Sequence, residues 1–557
     1  MMLDVFLWVI AIEVIGLVAF PLCYYLFPRL RDRGYSVSKP VGLLLLAYLS
    51  WILSVSHVLP SQQLTVMGLL IVMGCLSGWF LWTRRQEFLD FAVHGHISIL
   101  VSEALFLAMF LGWVLYRAYD PAIDHTEQPM DFAFLSASIR SEFGAPEDPW
   151  LSGGSVSYYY YGHWMMGVLS KLTGISSNVS YNLAMALIPA MGAMGMFGLV
   201  YNLVRSEAGR LRRALGAGLV AALLLVAAAN LEGVLEFTRA NGMGSDGFWN
   251  WAQIKEQPTD PSSQYMSGLG QVALSQSWYP EEHWWWFRAT RVIDTFDGSR
   301  WTDLTIQEFP FFSFMLGDLH AHVMSIPFVI LFLTACWHFL RSPAHVWGGL
   351  SLSTLVGPRD AAIRRYATVL FLGLSLGGLA FTNMWALPVF AALLLGTVAL
   401  KTYTVRGGSI WGLVKSTVPF GAVAVGIALL LFFPYYLDFT SQVSGIAPVT
   451  GPTTRPIHML LVWALFLVAV IPFILGVFWR TTLKEDWARL TLFSALVGFL
   501  PYAVWAFLYA ERGGEVSAMG GRLFHVLPLA LLISIAVYDA LWLSREDRPP
   551  MGKVFAL

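Results

Sequence analysis

A chain of 557 residues that is 57% apolar and only 12% charged, with a mean hydropathy of +0.63, is not an ordinary soluble protein. With 34 basic residues against 35 acidic ones the net charge is −1, so no polycationic surface for nucleic acid is expected. Cys23, Cys75 and Cys336 all fall in apolar stretches, which predicts neither a disulfide framework nor a cysteine metal site.

In chain order, apolar stretches of about 18 to 25 residues recur, each long enough to cross a hydrocarbon core. They must be helical, because nothing in lipid satisfies an open backbone. They lie near 4–27, 40–59, 63–83, 95–117, 179–204, 214–232, 319–340, 367–383, 385–401, 413–436, 457–479, 488–510 and 523–543. Only the polar Thr382-Asn383 separates two of them.

The short connections are basic: Arg29, Arg31 and Arg33; Arg84 and Arg85; Arg205, Arg210, Arg212 and Arg213; Arg341, Arg359, Arg364 and Arg365; Lys401 and Arg480. The positive-inside rule places these in the cytoplasm of a multi-pass plasma-membrane protein, with the N-terminus outside and the C-terminus inside. No cleaved signal peptide is evident. One integral-membrane domain over 1–557 is the economical reading, with two long loops, 118–177 and 233–318, on the extracytoplasmic face.

The first loop runs through Asp120, Asp124, His125, Glu127 and Asp131, then Asp148-Pro149-Trp150 and Tyr158-Tyr159-Tyr160-Tyr161-Gly162-His163. Glu127 and Asp131 are four apart and would share one helical face. A carboxylate pair suits general-base work or a divalent metal; solvation of a loop and helix capping are the plainer alternatives. The tyrosine run reads either as part of a site or as an interfacial belt. The apolar stretch that follows, to Lys171, is too short to span and is expected to lie along the membrane surface.

The second loop carries Glu281-Glu282-His283-Trp284-Trp285-Trp286-Phe287-Arg288, then Arg291, Glu308, and Gly317-Asp318-Leu319-His320-Ala321-His322. Arg288 and Arg291 are one helical turn apart and would grip a phosphate, unless they pair with Glu281, Glu282 or Asp294. Asp318, His320 and His322 open a span, where ionisable groups are costly and often functional. On an extended backbone they would face one way and ligate a metal; on a helix His320 points elsewhere. Glu13, Glu103, His94 and His96 read as interhelical pairs. Arg522 is an outer-side cation, for a lipid phosphate or as a snorkelling anchor.

Together, Glu127-Gln-Pro-Met-Asp131, Asp148-Pro-Trp150, Tyr158 to Tyr161, Trp284-Trp-Trp-Phe-Arg288-Ala-Thr-Arg291, Glu308-Phe-Pro-Phe-Phe-Ser and Gly317-Asp318-Leu-His320 resemble the YYY-domain membrane proteins of bacteria and archaea. The resemblance runs over nearly the whole chain, including Thr382-Asn383-Met384-Trp385 and Phe432-Phe433-Pro434. It departs at Ala321, where a proline is expected, and at Ala386, where an acid is expected.

That family is in turn similar to the GT-C glycosyltransferase superfamily, in which an acid in the first large outer loop is catalytic. Here the loop follows the fourth span and not the first. The resemblance implies an all-α polytopic membrane protein of about 13 spans, GT-C-like, with short surface helices in its two outer loops. It would move a sugar from a polyprenyl-phosphate donor to an acceptor on the extracytoplasmic face. Asp131, Glu127 or Asp124 would be the base. Tyr158, Tyr159, Tyr160, His163, Trp284, Trp285, Arg288, Arg291, Glu308 and Arg522 would bind substrate. Asp318, His320 and His322 would hold a divalent ion, Mg or Mn. The competing expectations are a metal-dependent membrane hydrolase built on those last three residues, and a transporter or structural subunit of a membrane complex.

Overall fold

The computed structural model describes residues 2–205, 210–255, 278–281, 285–296, 301–342, 359–406, 410–440, 448–450, 454–480 and 487–543. Among them the chain is nearly all helix. In order come α1 (Met2–Leu26), α2 (Ser38–Val55, led by a 3-10 turn Tyr35–Val37), α3 (Gln63–Thr83), α4 (Arg85–Tyr119), α5 (Gln128–Arg140), α6 (Tyr161–Thr173) and α7 (Ser177–Arg205). Then follow α8 (Leu211–Ala227), α9 (Glu232–Ala240), α10 (Asp246–Ala252), α11 (Pro310–Leu316), α12 (Ala321–Arg341), α13 (Arg359–Thr382), α14 (Ala386–Arg406), α15 (Ile410–Leu431) and α16 (Phe433–Asp438). The last three are α17 (Pro456–Arg480), α18 (Trp487–Glu511) and α19 (Val516–Leu543). A 3-10 helix Trp285–Thr290 and a two-stranded antiparallel hairpin, Asp294–Phe296 with Trp301–Leu304, interrupt the second long loop.

Twelve of these helices are long and apolar enough to cross a membrane, or thirteen spans result if α8 and α9 form one together. This is the expected polytopic all-α protein. The sixth expected span, 214–232, is where it departs: α8 stops at Ala227, and the Asn230 side chain accepts from Glu232 N at 3.2 Å. An asparagine that bonds its neighbours' backbone competes with continuation of a helix.

The chain divides into two compact units, one of Met1–Val226 with Phe314–Gln442, the other of Ala227–Ser313 with Val443–Pro550. In the first, Trp8, Trp51, Trp164, Tyr161 and Tyr181 are among the fully buried side chains. Glycines bring its helices together. A Cβ at Gly42 of α2 would lie 2.5 Å from the Ile15 carbonyl of α1, and one at Gly377 of α13 would lie 2.5 Å from the Phe432 ring. Between helices in lipid, such close packing replaces the water-exclusion force that holds soluble cores together. Large apolar side chains on α3, including Leu64, Ile71, Leu76 and Trp82, are exposed on the isolated chain, as a hydrocarbon-facing helix requires.

Three ionisable groups meet inside these spans. Lys39 Nζ lies 3.0 Å from Glu13 Oε2 and 2.7 Å from Glu103 Oε1, joining α2 to α1 and α4. Glu13 and Glu103 are interhelical partners as expected, through a lysine at the head of α2. His94 and His96 are not: each bonds a carbonyl of its own helix, Asp90 O at 2.7 Å and Val93 O at 2.8 Å.

The stretch after the tyrosine run departs from expectation as well. Residues 161–170 of α6 are buried on every side, not laid along a surface, and α6 packs on α1, α2, α3, α5, α7, α12 and α13. Apolar residues all round this helix, with Gly162 against Met324, allow it to be enclosed. At its end Lys171 Nζ donates to Ser61 Oγ at 2.9 Å and Ser141 O at 2.8 Å, and burial pushes its ammonium down from 10.5 to about 8, with Glu142 opposing. Between those two pH values the folded lysine is neutral while the unfolded one keeps its proton. Raising the pH from 8 to 10.5 is therefore expected to stabilise the wild type relative to Lys171→Met, measured by chemical unfolding across that window. Parallel stability curves for the two proteins would contradict it.

In the second unit a small core of Trp249, Ala252, Ile254, Val292 and Leu461 joins α10 to α17. Arg455 Nη1 donates to Gln253 Oε1 at 2.7 Å, and His458 Nε2 lies 2.9 Å from Ala252 O, so these two side chains close the C-terminal end of α10. There too α18 packs on α19, where a Cβ at Gly498 would meet the Ala530 carbonyl at 2.5 Å.

Candidate functional site

α4 ends at Tyr119, and Asp120 to Glu127 turn the chain into α5, whose first turn contains Pro129. Glu127 caps that helix and Asp131 lies one turn on, so the two acids share a face as their spacing predicts. Opposite them stands the extended segment that enters α12. His320, with φ −72° and ψ 152°, caps α12 and directs Nδ1 to 3.1 Å from Glu127 Oε2 and 3.7 Å from Asp131 Oδ2. From α6, His163 Nε2 lies 3.4 Å from Asp131 Oδ1.

Asp131 and His163 are both fully buried. Neither Asp131 oxygen and neither His163 nitrogen has a hydrogen bond among the described residues. A carboxylate out of water, held at ion-pair distance from two imidazoles but bonded to neither, is poised to accept a proton from something placed between them. Exposure rises along the group, from Asp131 to His320 (23%) to Glu127 (58%), so the acids open to one side.

A clamp fixes the two segments together. Thr126 Oγ1 donates to Asp318 Oδ1 at 2.9 Å and Oδ2 at 2.8 Å, and Gln128 Nε2 donates to Leu316 O at 2.7 Å. The Tyr181 hydroxyl of α7 donates to Gly317 O and accepts from Leu319 N, both at 3.1 Å. Gly317 is obligatory at φ +77°, and a Cβ there would sit 2.8 Å from the Arg117 guanidinium. Thr126 itself has φ +47°, a conformation that β-branched residues rarely adopt and that costs about 1–3 kcal/mol. The Asp318 carboxylate holds it there. Asp318→Ala is therefore expected to destabilise the protein by about 1–3 kcal/mol, read as a lower melting temperature in detergent. An unchanged melt would show that the clamp does not hold the turn.

The other expected residues fall as follows. Asp124 is exposed and, with Asp120, pairs with His125 at 3.5 and 2.9 Å. Tyr158 is half-buried, its phenol pushed up by burial, then by Tyr159, and by the negative charges of Asp131 and Glu127, so it stays a donor. Tyr159 lies against it, tilted by 31°, with ring centroids 4.0 Å apart. Tyr160 belongs to the core, accepting from Trp51 Nε1 at 3.2 Å, as does Tyr161, which donates to Leu44 O.

Asp318, His320 and His322 do not form a ligand trio. The backbone is extended at His320 but helical from Ala321, and Asp318 is engaged by Thr126. Among the described residues no three His, Cys, Asp or Glu side chains are grouped to hold a metal ion. Ala321 occupies the first position of α12, where the missing proline would also fit, so the substitution leaves the helix start in place. Ala386 likewise opens α14 after the Asn383 turn.

In the second unit Arg288 does not stand free beside Arg291. Its Nε and Nη2 fork onto Glu236 of α9, Nη2 at 2.8 Å from Oε2, and both side chains are buried. Glu236 is not among the acids expected to pair with it, because the partner comes from a helix some fifty residues earlier. Arg291 lies 4.8 Å over the Phe287 ring and donates to Thr290, its guanidinium pushed down by burial against the pull of Glu308. Glu308 accepts from Ser313 Oγ at 3.1 Å. Trp285 packs edge-on to Phe237. Arg522 lies 5.5 Å over Trp505. Trp284 lies outside the described residues.

The family model for uncharacterized membrane proteins designated DUF2298 matches residues 45–556, which takes in both halves of the clamp, Asp131 and the three groups around it. The chain belongs to that family. Neither the curated proteins nor the solved structures contain a match to it. For this DUF2298 membrane protein the residues that sequence reasoning passed over are Thr126, Gln128, Tyr181 and Lys39. Thr126 and Gln128 flank Glu127 and were legible only as loop residues.

Proposed function

We propose that this chain is a membrane glycosyltransferase of GT-C type, akin to the YYY-domain proteins. It moves a sugar from a polyprenyl-phosphate donor to an acceptor hydroxyl. What supports this reading most is Asp131: a buried carboxylate without a hydrogen bond among the described residues, beside two imidazoles, one turn into the helix that follows a long span. In this reading the chain lies in the plasma membrane with its N-terminus outside and C-terminus cytoplasmic, so that loop 118–177 is extracytoplasmic.

Asp131 takes the proton of the acceptor hydroxyl. The acceptor oxygen attacks the anomeric carbon, the bond from that carbon to the phosphate oxygen breaks, and the electron pair leaves with the polyprenyl phosphate. The anomeric configuration inverts. His163 lies beside Asp131 at 3.4 Å, and His320 stands between it and the exposed Glu127. The test is a donor screen: purified protein in proteoliposomes with radiolabelled polyprenyl-phosphate hexoses and membrane lipid extract. Label is expected to pass from at least one donor to a new product. A panel that yields none sinks the reading.

A second reading, as transporter or structural subunit, draws on the Lys39–Glu13–Glu103 cluster within the spans, since intramembrane charge often marks an ion path. It expects cation or proton flux across the same proteoliposomes, abolished by Glu103→Gln.

A further inference from the structure

One large aromatic side chain near Asp131 is exposed and yet rigidly presented. Trp150 is 63% exposed at the tip of a hairpin over residues 147–155. The Asp148 carboxylate accepts from Trp150 N at 2.8 Å and Leu151 N at 3.0 Å. Asp148 N bonds Gly154 O at 2.8 Å, Gly154 N bonds Leu151 O at 3.0 Å, and Gly153 turns the chain at φ +79°. Below the tip the Trp150 indole meets Phe134 edge-on, with centroids 5.5 Å apart and planes at 79°.

Phe134, on α5 three residues after Asp131, carries the line inward. Tyr158 stacks on it at 5.3 Å and 12°, and the His163 ring lies 5.6 Å away. His163 in turn faces Asp131. A continuous row of rings thus leads from an exposed indole to the buried carboxylate. At the far end stand groups that bond hydroxyls, the protonated Tyr158 phenol and the exposed Glu127, with Asp131 fully buried beside His163.

A hexopyranose matches that surface. Its axial C–H face is apolar and flat enough to lie on an indole, while its rim of hydroxyls needs donors and acceptors at one edge. We propose that Trp150, backed by Phe134 and continued by Tyr158, is a subsite that stacks a hexopyranose ring of the acceptor and directs one of its hydroxyls to Asp131. The acceptor is then itself a sugar. This rests on Asp131 as the base of the transfer. An indole serving only as a bilayer anchor is the competing explanation, and the same experiment separates the two.

The experiment is saturation-transfer NMR on the full chain in nanodiscs free of sugar detergents, with methyl β-glucopyranoside, β-galactopyranoside and α-mannopyranoside as probes. At least one is expected to receive saturation on the protons of a single ring face. Trp150→Ala should weaken its binding about five- to tenfold, the scale of one lost ring stack, and Trp150→Phe should restore part of it. Equal melting temperatures of the Trp150 variants and wild type exclude misfolding as the cause.

No saturation on any of the three sugars overturns the subsite, as does a signal that persists in Trp150→Ala. Strong quenching by brominated lipid of the fluorescence component that Trp150→Phe removes, with no response to sugar, also overturns it in favour of the anchor. A wild-type chain that binds sugar at Trp150 but transfers none from any donor counts against the transferase reading instead, and leaves the subsite standing.

Discussion

Asp131→Asn is expected to lower sugar transfer by about 10²- to 10⁴-fold while leaving the protein folded. Asparagine keeps the volume of the side chain and removes its basicity. Because Asp131 makes no hydrogen bond among the described residues, the amide breaks none; its NH2 faces one imidazole and its carbonyl oxygen the other, each ring in the tautomer that fits. Glu127→Gln should cost much less, since Glu127 is more than half exposed and lies on the open side of His320. The measurement is the initial rate of label transfer for each variant with the donor that the wild type accepts. A wild-type rate in Asp131→Asn would remove that residue from the chemistry.

Lys39→Met should be the most damaging single change to stability. The lysine is 2% exposed and answers two carboxylates on different helices, with its Nζ also 4.6 Å over the Phe106 ring. Methionine fills the space but leaves Glu13 and Glu103 facing each other among the spans. Removing one partner of a buried ion pair costs about 3–5 kcal/mol. Replacing both acids by glutamine in the same background should recover much of that loss, because the penalty comes from uncompensated charge and not from the missing ammonium. Thermal unfolding in one detergent checks both; an unaltered melt in Lys39→Met would show that the cluster is not buried charge at all.

Much of the fold was legible because a bilayer leaves the chain few choices. Apolar length alone places twelve spans, and Thr382-Asn383 does separate two of them. The failures have local causes. α8 stops at Ala227 and Asn230 accepts from the backbone of Glu232 at the start of α9, a local turn that hydropathy does not register. α6 reads as a surface helix because ten residues cannot span, yet a helix apolar on every side is equally suited to burial within a bundle, and that is where it lies.

The site was legible in part, for the same kind of reason. Helical spacing correctly put Glu127 and Asp131 on one face. It gave no hint that residues near 318, almost two hundred positions later, would close on them, since such contacts depend on tertiary packing. The Asp-x-His-x-His pattern suggested metal ligation; the start of α12 at Ala321 splits its geometry and leaves Asp318 holding Thr126. Arg288 looked like a phosphate grip because its partner, Glu236, sits on a separate helix. Glu13 and Glu103 were legible as interhelical partners but their cation was not: two acids within spans require one, and Lys39 is the one that meets them.

The most direct test of glycosyl transfer at Asp131 is phosphorus NMR on proteoliposomes holding the purified chain, an accepted polyprenyl-phosphate hexose and its acceptor. The donor is a phosphodiester, and transfer releases a phosphomonoester. Wild-type protein is predicted to convert the diester signal to the monoester signal, with Asp131→Asn converting essentially none in the same time. A diester signal that stays unchanged with the wild type, or declines equally with both proteins, would contradict the account.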